Sequence, residues 1–296
     1  MAAMKAIEIA GGGLAGLSLG IALQKRGVPV LIREAGNYPR HRVCGEFING
    51  VTRETLHELG IAGIFEKALC HRATRWWMGD RRILEAVLTR PALGMSRWEM
   101  DECLRREFEE AGGELRVHDR AKPEAREGLV WTAGRYLEKS SDLLGLKAHF
   151  EGVELEGYLE MHLGGGSYVG LTPVTADGSR VNVCGLFQKG PRTKGINPVV
   201  DALARCGLGK LAERLSSAHM DPKSLTGISG VRLGSQGGDD GVLTLGDSER
   251  MIPPFTGNGM SMAFEAAECA LAPLLDYARG RSDWHVARKE VRNSLN

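Results

Sequence analysis

The residues Gly11-Gly12-Gly13-Leu14-Ala15-Gly16 have the types and spacing to hold a phosphate. Gly11 permits a tight turn, Gly13 lets the backbone approach a pyrophosphate, and Gly16 lets a helix pack against a strand. Leu14 and Ala15 open that helix, whose free N–H groups and dipole favour an anion. Seventeen residues separate Gly16 from Glu34, a carboxylate able to accept hydrogen bonds from a ribose diol. The loop alone fits NAD and FAD equally, and a structural turn is its plainer reading. Arg40 and Arg42 follow; they suit a pyrophosphate or adenine, or a solvated basic loop, equally well.

The elements around these residues must position them. An apolar run at residues 6–10 predicts a strand, 14–26 a helix ended by Gly27, and 28–32 a second strand with Glu34 just beyond it. That is half of a dinucleotide-binding unit. Residues 52–59 predict a short helix, 72–88 a hairpin turning at Gly79-Asp80, and 96–110 a helix with Ser96 as N-cap and Glu99 completing a capping box. Strands are expected at 114–117 and 129–132. From Leu146 the pattern changes: apolar Val153, Leu155, Leu159, Met161 and Leu163 alternate with polar residues, which predicts a half-exposed antiparallel sheet continued at 168–171 and 180–188. Short helices are expected at 197–206 and 208–217, a strand at 242–245, and a long alanine-rich helix at 260–277. The fold class is α/β: a Rossmann-like domain with a parallel sheet (1–70, 96–145, 236–296) interleaved with a mainly antiparallel substrate domain (71–95, 146–235).

Composition sets bounds. The 296 residues carry a net charge of +1, 43% hydrophobic and 25% charged residues, so no bulk field points to nucleic acid. The six cysteines, at 44, 70, 103, 184, 206 and 269, form no metal-ligand spacing, which argues against zinc and suits a reducing cytoplasm. No run of about 18 apolar residues predicts a membrane span. The eight histidines read as structural or surface residues, and Trp76 and Trp77 as pocket lining or sheet packing.

The far end of the chain adds a second motif. Leu245-Gly246-Asp247, followed by Pro253-Pro254-Phe255-Thr256-Gly257-Asn258-Gly259-Met260, resembles the second flavin motif of the para-hydroxybenzoate hydroxylase-like family. The resemblance implies that the nucleotide is FAD, that Asp247 binds its ribityl chain, and that the Gly257 to Met260 backbone faces the isoalloxazine ring. Arg97, within Ser96-Arg97-Trp98-Glu99, resembles the family's arginine at a helix start and would contact the phosphate or ribityl region. Thr132-Ala133-Gly134-Arg135 stands where the family often has Ala-Asp-Gly, without the aspartate. Arg42-Val43-Cys44-Gly45-Glu46 resembles a stretch of the geranylgeranyl reductase-like branch and would place Cys44 near the flavin; an inert loop thiol is the alternative. The sequence ends at Asn296, sooner than is usual in the family, which leaves room for a partner chain or a truncation.

The resemblance implies a flavoprotein monooxygenase: NAD(P)H binds transiently as reductant, and an oxygen atom from O2 enters a small hydrophobic or aromatic substrate. One alternative is reduction of a C=C bond in an isoprenoid or lipid-like substrate, which Cys44 favours. A flavin-binding partner subunit with little activity of its own is another, and an NAD-dependent dehydrogenase is the weakest.

Overall fold

Two sheets with different hydrogen-bonding logic organise the molecule. The computed structural model describes residues 4–190, 197–236, 241–253, 255 and 257–295. In chain order the strands and helices are β1 (Ile7–Ala10), α1 (Leu14–Gln24), β2 (Val30–Glu34), β3 (Phe47–Ile48), α2 (Arg53–Glu58), β4 (Leu69–Met78), β5 (Arg81–Gly94), α3 (Arg97–Glu110), β6 (Glu114–Val117) and β7 (Leu129–Trp131). They continue with β8 (Leu143–Glu151), β9 (Leu159–Gly164), β10 (Ser167–Pro173), β11 (Arg180–Gln188), α4 (Pro198–Arg205), α5 (Gly209–Ser216) and β12 (His219–Ser229). The last are β13 (Gly234–Ser235), β14 (Leu243–Thr244), β15 (Arg250–Met251), α6 (Asn258–Ala278) and α7 (Trp284–Leu295).

The first sheet runs β14-β7-β1-β2-β6 and is parallel throughout. Its order reverses between β1 and β7, and the crevice at the carboxyl ends of strands flanking such a reversal is where open α/β sheets bind ligands. Gly11, Thr132 and Leu245 lie at that end, each just past its strand. Helix α1 is buried along nearly its whole length, which its Leu/Ala/Ile/Gly composition, interrupted only by Ser18 before the terminal Gln24, allows. It packs with α3, α6 and the sheet in one core.

The second sheet has eight strands, β12-β8-β11-β10-β9-β4-β5-β3, antiparallel except where β4 runs parallel to β9. The expected hairpin is present, turning at Gly79 and Asp80 between β4 and β5. The sheet differs from expectation in two respects. Residues 152–158 are not strand: the alternation becomes β9 only at Leu159. Nor are β8 to β11 half-exposed, for most of their residues are buried on both faces. Leu159, Glu160, Met161 and His162 are all buried. Helices α4 and α5 cover one face, where Arg214 of α5 bonds Glu160 at 2.7 Å. Trp77 stacks on His162 at 4.5 Å. Glu160 and His162 are thus paired rather than solvated.

Smaller shifts are local. Strand β2 begins at Val30, so Glu34 is its last residue rather than its successor. Helix α6 begins at Asn258, with Gly257 as a left-handed N-cap at φ 74°, two residues earlier than expected. Ser96 caps α3 as expected, but its hydroxyl accepts from Trp98 N. Strand β12 and helix α7 had no counterpart among the expectations.

Candidate functional site

A cavity of about 770 Å3 runs along the carboxyl ends of the parallel strands and onto the second sheet. Gly11, Gly13, Leu14 and Ala15 form one wall at the N-terminus of α1. The glycines act differently. A Cβ on Gly16 would run into the Gly11 carbonyl, so this position sets how closely α1 meets β1. A Cβ on Gly13 would meet nothing within 4 Å among the described residues. Gly13 therefore faces open cavity, with the first free N–H groups of α1 beside it.

Glu34 stands at the same end and is buried. It accepts from Gly12 N at 2.9 Å, Gly36 N at 2.7 Å and Arg40 Nη2 at 2.8 Å. The Tyr38 hydroxyl donates to the Gly12 carbonyl. Arg40 is therefore not a solvated loop cation; it closes over the acid.

Arg42 and Arg97 meet further along on one fully buried carboxylate. Arg97 makes a two-pronged contact with Asp101 at 2.8 and 3.1 Å, and Arg42 Nε reaches Asp101 Oδ2 at 2.7 Å. Burial opposes the charge on Asp101, yet the two guanidiniums hold its carboxyl below the usual range. Two cations against one anion leave a net positive charge at the wall. Arg40 Nε, Arg42 Nη2, Arg135 Nε and Trp131 Nε1 are buried donors without an acceptor among the described residues, and all four residues line the cavity. A row of orphaned donors along a glycine-lined channel fits a ligand rich in acceptors, as phosphates and a sugar chain are.

Gly246, Asp247, Gly257, Gly259 and Met260 line the far end. Arg135 Nη1 lies 3.8 Å from Asp247 Oδ2, while the enclosure around Asp247 pushes its carboxyl upward. Cys44 Sγ is 3.5 Å from Met260 Sδ at the start of α6. Beyond them Met161, Tyr168 and Cys184 of the second sheet complete the wall.

Residues 4–143 match the FAD binding domain family. The chain is a flavoprotein. The cavity suits that cofactor: the glycine end offers N–H groups and cations for two phosphates, and the α6 end offers a helix N-terminus and an apolar wall. No curated protein sequence matches the flavoprotein. Its fold recurs in solved structures. The myxobacterial chondrochloren halogenase has a TM-score of 0.78 at 15% identity, covering 99% of this chain and 79% of the halogenase. A probable FAD-dependent monooxygenase from Pseudomonas aeruginosa has a TM-score of 0.76 at 14% identity, over 98% of this chain and 91% of that one. The p-nitrophenol 4-monooxygenase from Pseudomonas putida has a TM-score of 0.75 at 15% identity, over 100% and 85%. The flavoprotein therefore has the architecture of the para-hydroxybenzoate hydroxylase-like enzymes. Among its described residues no helix is long and apolar enough to cross a membrane.

The structure thus gathers Gly11, Gly13, Leu14, Ala15, Glu34, Arg42, Cys44, Arg97, Gly246, Asp247, Gly257, Gly259 and Met260 around one cavity. Gly16 lies beneath the loop, Asn258 is outside the lining, and Pro254 lies outside the described residues.

Sequence reasoning missed a buried charged cluster behind the Arg42–Gly45 loop. Glu46 has no exposed surface and sits in the left-handed region at φ 58°. Its Oε2 is 2.6 Å from His149 Nε2, and its Oε1 is 3.4 Å from Lys147 Nζ and accepts from Arg97 N at 3.1 Å. Lys147 Nζ also lies 3.0 Å from His41 Nδ1. Nearby, Asn182 Nδ2 donates to the Cys44 carbonyl at 2.9 Å. His41, Glu46 and His149 have the mutual spacing of metal ligands, within 4.8 Å. The Lys147 ammonium already supplies the cation among them. Lys147, His149, Asn182 and Cys184 project from the same face of β8 and β11, so the cluster bolts the cavity loop to the second sheet. Burial lowers the lysine and raises the Cys44 thiol, so Cys44 stays protonated.

Proposed function

We propose that this flavoprotein is a monooxygenase that places one oxygen atom of O2 on a hydrophobic aromatic substrate, with NAD(P)H as a transient reductant. The observation that carries this reading is the continuity of the cavity. It runs from Glu34 past the glycine loop to an apolar sheet wall of Met161, Tyr168 and Leu186. One end suits a nucleotide and the other an oily, water-poor reaction space. The p-nitrophenol 4-monooxygenase and a Pseudomonas aeruginosa relative solved with 2-aminobenzoylacetate, both of this fold, act on or bind small aromatic compounds.

Bound FAD supplies hydride acceptance and the activation of O2. The residues of the chain hold and orient it. The Gly11–Gly13 backbone and the α1 N-terminus take the pyrophosphate, with Arg42 and Arg97 balancing its charge. Glu34 takes the adenosine ribose once Arg40 turns aside. Asp247 would receive the ribityl hydroxyls, and the N–H groups at the start of α6 would favour negative charge on the isoalloxazine. Cys44, beside Met260 at the start of α6, would border the ring as a neutral thiol. In this reading 1–70, 96–145 and 236–296 serve the cofactor, and 71–95 and 146–235 serve the substrate. The six free thiols suit a reducing cytoplasm.

The balanced reaction is NAD(P)H, a proton, O2 and an aromatic C–H giving NAD(P)+, water and an aromatic C–OH. A second reading, C=C reduction, draws on the position of Cys44 against Met260 at the α6 end. Anaerobic turnover separates them. The monooxygenase gives no product without O2, and product formed under nitrogen would establish the reductase.

A further inference from the structure

A second, smaller cavity opens beside the first. It measures about 120 Å3, and Phe47 and Met161 line both. Register explains the adjacency. On the cavity-facing side of the second sheet, Cys184 pairs with Gly170, Gly170 with Met161, and Met161 with Trp76. Trp76 therefore extends the row that walls the large cavity and carries it into the small one. Phe255 stands at the junction, edge-on to Tyr168 at 5.9 Å and to Trp76 at 6.4 Å. Tyr168 belongs to the large cavity and Trp76 to the small one.

The small cavity is apolar. Trp76, Leu88, Leu159, Leu171 and Phe255 dominate its lining, with Thr74 and Asn49 as its uncharged polar members. Glu160 is at its rim, but its carboxylate is held by Arg214 at 2.7 Å and His162 at 3.1 Å. Among the described residues no cation lines the space. A charged group placed there would lose water and gain no partner.

We propose that this cavity is the pocket for an uncharged apolar arm of the substrate, and that Trp76 and Leu88 set the arm's length. The proposal rests on the monooxygenase reading and deepens it: the substrate is a phenol-like ring with an alkyl substituent of about four to six carbons. The size follows from comparison with engineered apolar cavities of about 150 Å3, which take benzene. The ring lies between Tyr168 and the flavin end, and the arm passes Phe255 toward Trp76. Each buried methylene strengthens binding about four-fold.

The test uses the FAD-loaded protein without reductant, so that binding is read separately from turnover. A series from 4-methylphenol to 4-heptylphenol is titrated against the visible absorbance of the bound flavin. Affinity is expected to rise about four-fold per methylene, to peak near five carbons, and to lose that gain when the terminal methyl is replaced by a carboxylate. Leu88→Trp moves the peak to shorter chains, and Trp76→Ala moves it to longer ones. Affinity that is flat with chain length, a peak that neither variant shifts, or no response to any alkylphenol would overturn the proposal. Length-dependent binding without oxidation would leave the pocket standing and defeat the monooxygenase. Oxidation without length preference would do the reverse.

Discussion

Glu46 and His149 meet at 2.6 Å across 103 residues of sequence, one on the loop that walls the flavin cavity and the other on the second sheet. With Lys147 they fasten the two halves of the site together. Hydrogen bonds from His149 and attraction from Lys147 outweigh burial and keep the Glu46 carboxyl below its usual range. Removing one partner leaves a buried charge uncompensated. Lys147→Met is therefore expected to cost about 3–5 kcal/mol of folding stability, read as a lower denaturant midpoint. Replacing Glu46 and Lys147 together by apolar residues should recover most of it. A double-variant loss equal to the sum of the two single losses would show that the pair is not coupled.

The glycine loop makes a contrasting pair of predictions. Gly16→Ala places a methyl against the Gly11 carbonyl and should destabilise the apoprotein by about 1–3 kcal/mol. Gly13→Ala meets no described atom within 4 Å at a φ of −86°. It should leave apoprotein stability unchanged but weaken FAD about ten-fold or more, because the methyl occupies the path of the pyrophosphate. Thermal melts of the apoprotein and FAD titrations check both arms.

Asp101 neutralises part of two guanidiniums, so its loss is the harsher one. Asp101→Ala should cost about 3–5 kcal/mol of stability by stranding Arg42 and Arg97. Arg42→Met leaves the Arg97–Asp101 pair in place and should mainly weaken FAD, by about ten- to a hundred-fold for a lost charged contact. Flavin titration and chemical denaturation, run on both variants, separate the two effects.

Acid should destabilise the protein early. Burial holds His71 down to about 4; burial together with the Lys147 and His149 charges holds His41 down to about 4, against an ordinary 6.5. Between about 6.5 and 4 the unfolded chain binds protons at these rings that the folded chain does not, so stability falls as pH drops through that window. Denaturation midpoints measured across it should decline, and His71→Asn should flatten the decline. A midpoint that holds steady down to about 4.5 would contradict this.

What the sequence made legible was local. The Gly11–Gly16 loop, the strands beside it and the Glu34 acid lie within about thirty residues, and their backbone roles depend on neighbours in the chain. The Asp247 and Gly257–Met260 motif was readable for the same reason. The buried cluster was not, because Glu46 finds Lys147 and His149 only through sheet register about a hundred residues away. The one available signal was the pair Lys147 and His149, alternating within an otherwise apolar strand. Strand β12 was hidden by Pro222 and a register shift between Asp221 and Thr226. Arg135 was masked by the missing family aspartate beside it; the structure shows it facing Asp247 instead.

The most direct test of the account is the fate of molecular oxygen. The FAD-loaded protein is supplied with NADPH or NADH, 4-pentylphenol and heavy-isotope dioxygen, and the product is weighed by mass spectrometry. The expected product is an oxidised phenol carrying one labelled oxygen atom, with one nicotinamide consumed for each. Product without the label, or formed at the same rate under nitrogen, would contradict it.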